Sequence, residues 1–190
     1  MTSALFVVSE EGYWAEECIE PLTTLSDAGV DVTVATPSGS EPVVDERSLD
    51  PESAGGEERV EQLKEVIESD DRLNDPVPVA GEDAADYDAV VFPGGHGTEW
   101  DVNQDRHARG ALRTAVEGDD AKVMVVCHAV GVLAFTRASD GEFLVVTVSA
   151  GGFPRGFVRR LVGVLAEVAV EGQPLSRIDE VLGEESLQGG

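Results

Sequence analysis

Lysine is almost missing from this chain: of 13 basic residues in 190, only Lys64 and Lys122 are lysines, against 38 acidic residues and a formal net charge of −25. A surface so poor in cations lacks the basic footprint that phosphate backbones require, which excludes nucleic acid as an expected partner. Cysteine is equally scarce. Cys18 and Cys127 stand far apart with no CxxC spacing, so neither a disulfide framework nor a zinc knuckle is expected. The three histidines, His96, His107 and His128, show no HxxxH-type ligand spacing, and no metal or other cofactor is expected. Long hydrophobic runs are absent, which excludes a membrane-spanning helix. The first apolar run, Ala4 to Val8, is too short for a secretory leader and has no basic flank, so a cytoplasmic protein is expected. Internal repeats and low-complexity linkers are also lacking, and residues 1–190 read as a single domain.

What is present is a globular composition. Hydrophobic residues make up 42% of the chain, too many for a disordered acidic segment. The acid is spread along the sequence rather than gathered in a tail. An evenly acidic, lysine-poor surface suits a cytosol of molar salt, where screening removes most self-repulsion, and points to a halophile.

Strand and helix signals alternate. Ala4–Val8 is a continuous apolar run of the kind buried in parallel sheets. Trp14 to Ala28 has helical periodicity and is closed by Gly29. Val30–Ala35 predicts a second strand, and residues 37–56, rich in Pro and Gly, a loop. Glu57–Ser69 predicts a charged helix with Val60, Leu63, Val66 and Ile67 as its apolar face, and residues 70–86 an acidic connection. Tyr87–Phe92 is a third strand, followed by the tight turn Pro93-Gly94-Gly95-His96-Gly97. Asp105–Glu117 predicts a helix and Lys122–Val126 a fourth strand. Phe143–Val148 predicts a fifth, and a last helix starts at Pro154 and runs to about Val170. The tail beyond Gly183 is polar. Alternation of this kind implies an α/β fold, a parallel sheet sandwiched by helices. Ligands in such folds bind beyond the carboxyl ends of the strands, where the loop after the first strand, the Pro93–Gly97 turn and Cys127 converge.

Cys127 ends a strand and precedes an apolar helical stretch. A thiol at that bend faces the amino end of the next helix, which favours thiolate and can hold an oxyanion. A free cysteine is otherwise a small buried hydrophobe. On a helical wheel of the first helix, Trp14, Cys18, Leu22 and Leu25 share a stripe. Glu17 lies at its edge, while Glu16 and Glu20 point away. Glu17 is therefore the carboxylate expected to be partly buried, with a raised pKa suited to proton transfer, rather than a solvated flank residue. The turn glycines Gly94, Gly95 and Gly97 can aim backbone N–H groups at an oxyanion or simply end a strand. They are no dinucleotide fingerprint, because Trp100 stands where the third glycine belongs. His128 either polarises the neighbouring thiol or offers its backbone N–H, and His96 lines the same pocket. His107, in a charged helix, is expected to be solvated. The Arg155, Arg159 and Arg160 cluster has no aromatic interleaving and reads as a salt-bridged helix face.

Together these segments resemble the DJ-1/PfpI superfamily, and within it the Hsp31-like branch of glyoxalases and chaperones. Gly12-Tyr-Trp-Ala-Glu-Glu17-Cys-Ile-Glu-Pro21-Leu22 looks like that branch's first-helix motif, and Ala28 to Gly39 like its second-strand signature. Val43-Val-Asp45-Glu-Arg-Ser48 is similar to the short segment that follows. Phe92-Pro-Gly-Gly-His-Gly97 and Val126-Cys127-His128 look like the oxyanion turn and the nucleophile elbow. The resemblance runs from Ser3 to about Phe135. It implies a flavodoxin-like, class I glutamine amidotransferase-like fold and, commonly, a homodimer. It further implies a glyoxalase III-type hydro-lyase that turns methylglyoxal into lactate without glutathione or metal, or related deglycase chemistry on small reactive aldehydes or glycated substrates. In that chemistry Cys127 forms a hemithioacetal, Glu17 shuttles a proton between the two carbons and His128 assists. The N–H groups of Gly95 and His128 hold the oxyanion, with Gly94, His96 and Ala129 completing the pocket.

The chain departs from the pattern in two places. Ala129 stands where glycine is common after Cys-His. After Phe135 the branch usually continues through extra strands and a helix that wall the pocket, and here a few dozen of those residues are missing. The alternative to an enzyme is accordingly a non-catalytic holdase chaperone or redox sensor of the same family. A peptidase role is neither supported nor refuted by these motifs. A glutamine amidotransferase needs a downstream His-x-Glu pair, and no histidine follows His128; a serine hydrolase needs GxSxG, which does not occur.

Overall fold

A computed structural model of the protein describes residues 2–118 and 121–142. Within them, β1 (Ser3–Val7), α1 (Ala15–Asp27) and β2 (Asp31–Thr36) follow the alternation the sequence predicts. Then come α2 (Pro51–Ala54), α3 (Glu57–Ser69), α4 (Asp71–Asn74) and β3 (Val77–Pro78). The described chain continues with β4 (Ala89–Phe92), α5 (Arg106–Glu117), β5 (Lys122–Val125) and α6 (Gly131–Phe135). The strands form one parallel sheet in the order β3-β2-β1-β4-β5.

β1 sits at the centre and is buried on both faces, which explains its uninterrupted apolar sequence. Because strand side chains alternate, Ala4, Phe6 and Val8 pack on the α1 and α3 side with Cys18, Leu22 and Leu63. Leu5 and Val7 pack on the opposite side with Leu112 and Val132 of α5 and α6. The chain winds outward from β1 through β2 to β3, then returns to β4 on the other side of β1. That reversal places a crevice at the carboxyl ends of β1 and β4, with β5 beside it.

Two stretches read as loops carry structure. Residues 37–56 contain a 3₁₀ turn at Glu46–Leu49 and the short α2, each begun by an aspartate cap: Asp45 accepts from the Arg47 N–H and Asp50 from the Glu52 N–H, with Pro51 at the first helical position. Residues 70–86 hold α4, capped by Asp70, and the two-residue β3. Such short elements give no periodicity to read, and β3 exists only because Ala35 and Thr36 of β2 offer it partners. The predicted strand 143–148, the predicted helix from Pro154 and the arginine cluster within it lie outside the described residues. No described helix is long and apolar enough to cross a membrane.

Candidate active site

Three loops meet at the crevice. Residues 9–14, after β1, are tied to the turn after β4 by hydrogen bonds from Gly97 N–H to the Gly12 carbonyl (2.9 Å) and from Trp14 N–H to the Gly94 carbonyl (2.8 Å). The approach is so close that a β-carbon on Gly95 would stand 2.5 Å from the Trp14 nitrogen, and Gly95 also has φ +121°. The third loop follows β5, where Cys127 has φ +52°, the one positive φ outside glycine among the described residues. A non-glycine residue there is strained, and such strain clusters at functional sites.

Glu17 and Cys127 face each other across Gly94. A β-carbon on Gly94 would collide with Glu17 Oε2 and stand 2.5 Å from Cys127 Cβ. Glu17 lies in the first turn of α1, half-buried, while Glu16 and Glu20 are exposed as the wheel predicts. Pro21, one turn on, cannot donate to the Glu17 carbonyl. Burial pushes the Glu17 carboxyl above its ordinary range, although the Cys127 thiol, the Gly94 N–H and His128 favour its charged form. Oε2 is buried and closes no full hydrogen bond within the protein.

Cys127 differs from expectation. The sequence suggested a thiol lowered by a following helix, but although Cys127 is exposed at the surface, partial desolvation of its sulfur and then the Glu17 charge push it upward, against the lowering influence of the His128 and Gly95 N–H groups. The reason is placement. A 3₁₀ turn over Cys127–Val130 separates the thiol from α6, which is only five residues long. The geometry instead gives a thiol and a carboxylate that interact as a pair: the thiol favours the ionised carboxylate, and the ionised carboxylate opposes ionisation of the thiol.

His128 Nδ1 lies 3.1 Å from the Cys127 sulfur. Its ring stacks at 4.6 Å, tilted by 41°, on that of His96, and its Nε2 lies 4.0 Å from the exposed Glu99. His96 Nδ1 is 2.5 Å from Asp45 Oδ2. That hydrogen bond, with the Arg47 N–H, outweighs burial and holds the Asp45 carboxyl below its usual range. Gly94 and Gly95 are buried. Ala129 is fully buried and commits its N–H to the Val126 carbonyl (3.0 Å), so it closes the elbow rather than facing the crevice. His107 is partly exposed and accepts a hydrogen bond from Arg106. No group of three His, Cys, Asp or Glu side chains suited to a metal occurs among the described residues.

Residues 2–146 match the DJ-1/PfpI family. The chain belongs to that family. Over 112 residues it is 29% identical to the protein/nucleic acid deglycase HchA of Staphylococcus aureus, covering 59% of this chain and 38% of that protein. A stretch of 50 residues is 52% identical to tRNA pseudouridine synthase A of Haloarcula marismortui, 26% of this chain and 18% of that one. The chain thus spans well under half the length of either curated relative. Glyoxalase III of Candida albicans shares the fold with a TM-score of 0.65 at 19% identity, over 94% of this chain and 79% of that one.

Asp45, Glu99, Trp14 and Asn103 went unmarked as site residues in the sequence. Asp45 belongs to a motif whose partner, His96, is 51 residues away, and no local pattern links the two.

Proposed function

We propose that the protein is a glyoxalase or deglycase of the cysteine type, acting on small reactive aldehydes or their adducts. The observation that carries this reading is the convergence of Glu17 and Cys127 over Gly94. A weakly acidic thiol beside a carboxylate of raised pKa passes its proton to that carboxylate as it attacks. The sulfur adds to the aldehyde carbon of a 2-oxoaldehyde. The resulting hemithioacetal oxygen is held by the N–H groups of Gly95 and His128, which already point toward the sulfur. Glu17 hands the thiol proton to that oxygen and, ionised again, takes the hydrogen of the former aldehyde carbon as a proton and delivers it to the neighbouring carbon. The hydroxyl proton passes to the neighbouring carbonyl oxygen, leaving a thioester of the 2-hydroxy acid. Water releases lactate when the substrate is methylglyoxal. His128, 3.1 Å from the sulfur, takes a proton from that water and delivers it to the departing thiolate.

The test is lactate formation from methylglyoxal in high-salt buffer without glutathione, comparing the wild type with Cys127→Ala and Glu17→Gln. Loss of turnover in both variants is expected. A folded wild-type protein that forms no lactate, and releases no amine from a glycated model peptide, refutes the reading. It would favour the holdase alternative, to which the exposed Trp100 (76%) and Phe135 (57%) lend some apolar surface.

A further inference from the structure

We propose that Asn103 is a positioning residue that sets the geometry of the Cys127 elbow, acting through the carbonyl of His128. The strained φ of Cys127 persists only if its surroundings over-determine it. Three contacts do so. Two are backbone ties, from Val126 N–H to the Phe92 carbonyl (3.1 Å) and from Ala129 N–H to the Val126 carbonyl (3.0 Å). The third is the Asn103 amide, whose Nδ2 donates to the His128 carbonyl at 3.0 Å.

Asn103 is only 2% exposed, and its own N–H donates to the Thr98 carbonyl at 2.9 Å. It is therefore fixed to the turn that begins with Gly95. Asp101, two residues earlier, accepts from Ser9 Oγ and the Glu10 N–H, fastening the same segment to the loop after β1. One rigid stretch thus joins all three loops of the crevice. The amide orientation follows from its partner: the opposite flip would set Oδ1 against a carbonyl oxygen. In this orientation Oδ1 is buried without a partner in the protein. An orphaned buried acceptor is unfavourable for stability, and an apolar side chain of the same size would avoid it. What the polar side chain gains here is the donated bond, made to the carbonyl of the residue that follows Cys127. Gly131, which opens α6, makes room for it: a β-carbon there would collide with Nδ2 and stand 2.8 Å from Cγ.

The inference rests on Cys127 and Glu17 being the reacting pair, and its test needs no turnover. The pH midpoint of Cys127 alkylation by iodoacetamide is measured in four proteins: wild type, Glu17→Gln, Asn103→Leu and the double variant. Cys18 is fully buried and does not interfere. In the wild-type background Glu17→Gln lowers the midpoint, because the Glu17 charge holds the thiol up. With Asn103→Leu the elbow relaxes, the sulfur leaves Glu17, and the same substitution shifts the midpoint by less than half as much. An equal shift in both backgrounds overturns the proposal, since a purely structural asparagine leaves the thiol–carboxylate coupling intact. No shift in either background removes the Glu17–Cys127 pairing, and the proposal with it. If Asn103→Leu loses its cooperative thermal transition, Gly131→Ala displaces the amide and takes its place in the cycle, with the same two outcomes.

Discussion

A single methyl group added at Gly94 separates the packing argument from a generic loss of stability. Gly94 has an ordinary negative φ, so alanine is permitted by the backbone and only the surroundings object. Its β-carbon would stand 2.5 Å from Cys127 Cβ and 2.8 Å from the Val126 carbonyl oxygen, and would collide with Glu17 Oε2. Carbon–carbon contacts settle near 3.5–4.0 Å, so Cys127 must retreat by about 1 Å. Overpacking of this kind costs about 1–3 kcal/mol, or roughly 2–12 °C in Tm for a chain of this size. The catalytic penalty is larger, because a misplacement of about 1 Å in a reacting group costs on the order of 100-fold in rate. Gly29→Ala is the control. It has φ +81° and nothing within 4 Å, so alanine there brings backbone strain of about 1–2 kcal/mol and no collision. Both variants lower Tm in a thermal melt, but only Gly94→Ala loses lactate formation from methylglyoxal and slows alkylation of Cys127. Wild-type kcat in Gly94→Ala, at any Tm, refutes the convergence of carboxylate and thiol over this glycine.

Two further outcomes follow from the charges. The pKa of Glu17 is raised on folding, so the native state binds its proton more tightly than the unfolded chain; its contribution to stability is present at low pH and is lost as pH rises through the folded value. Glu17→Gln therefore raises Tm at neutral pH while abolishing turnover, with the advantage shrinking toward acid pH; a variant less stable than wild type at pH 7 contradicts the sign. A net charge of −25 predicts that Tm climbs steeply between dilute buffer and molar KCl, and full stability without added salt would count against a halophilic protein.

The sequence by itself determined the layers and the principal reactive groups. Apolar runs at residues 4–8 and 89–92 are legible as strands because both faces of a parallel sheet are covered there, the run at 122–126 is legible although Lys122 and Met124 are exposed, and helical spacing in residues 14–28 singles out Glu17 from Glu16 and Glu20. The strand end at Cys127 and the glycines at 94, 95 and 97 are equally local signals. Only the tertiary structure decided how those groups behave. β3 has two residues and forms because β2 lies beside it. The pairing of Asp45 with His96 spans 51 residues, and that of Asn103 with the His128 carbonyl spans 25. The Cys127 thiol, expected to be acidic from its place before a helix, is held up by partial desolvation and by a carboxylate 110 positions earlier in the chain. Periodicity reports which face of an element is buried. It carries no record of which distant side chain shares that burial, and in a site assembled from three loops the electrostatics depend on those distant neighbours.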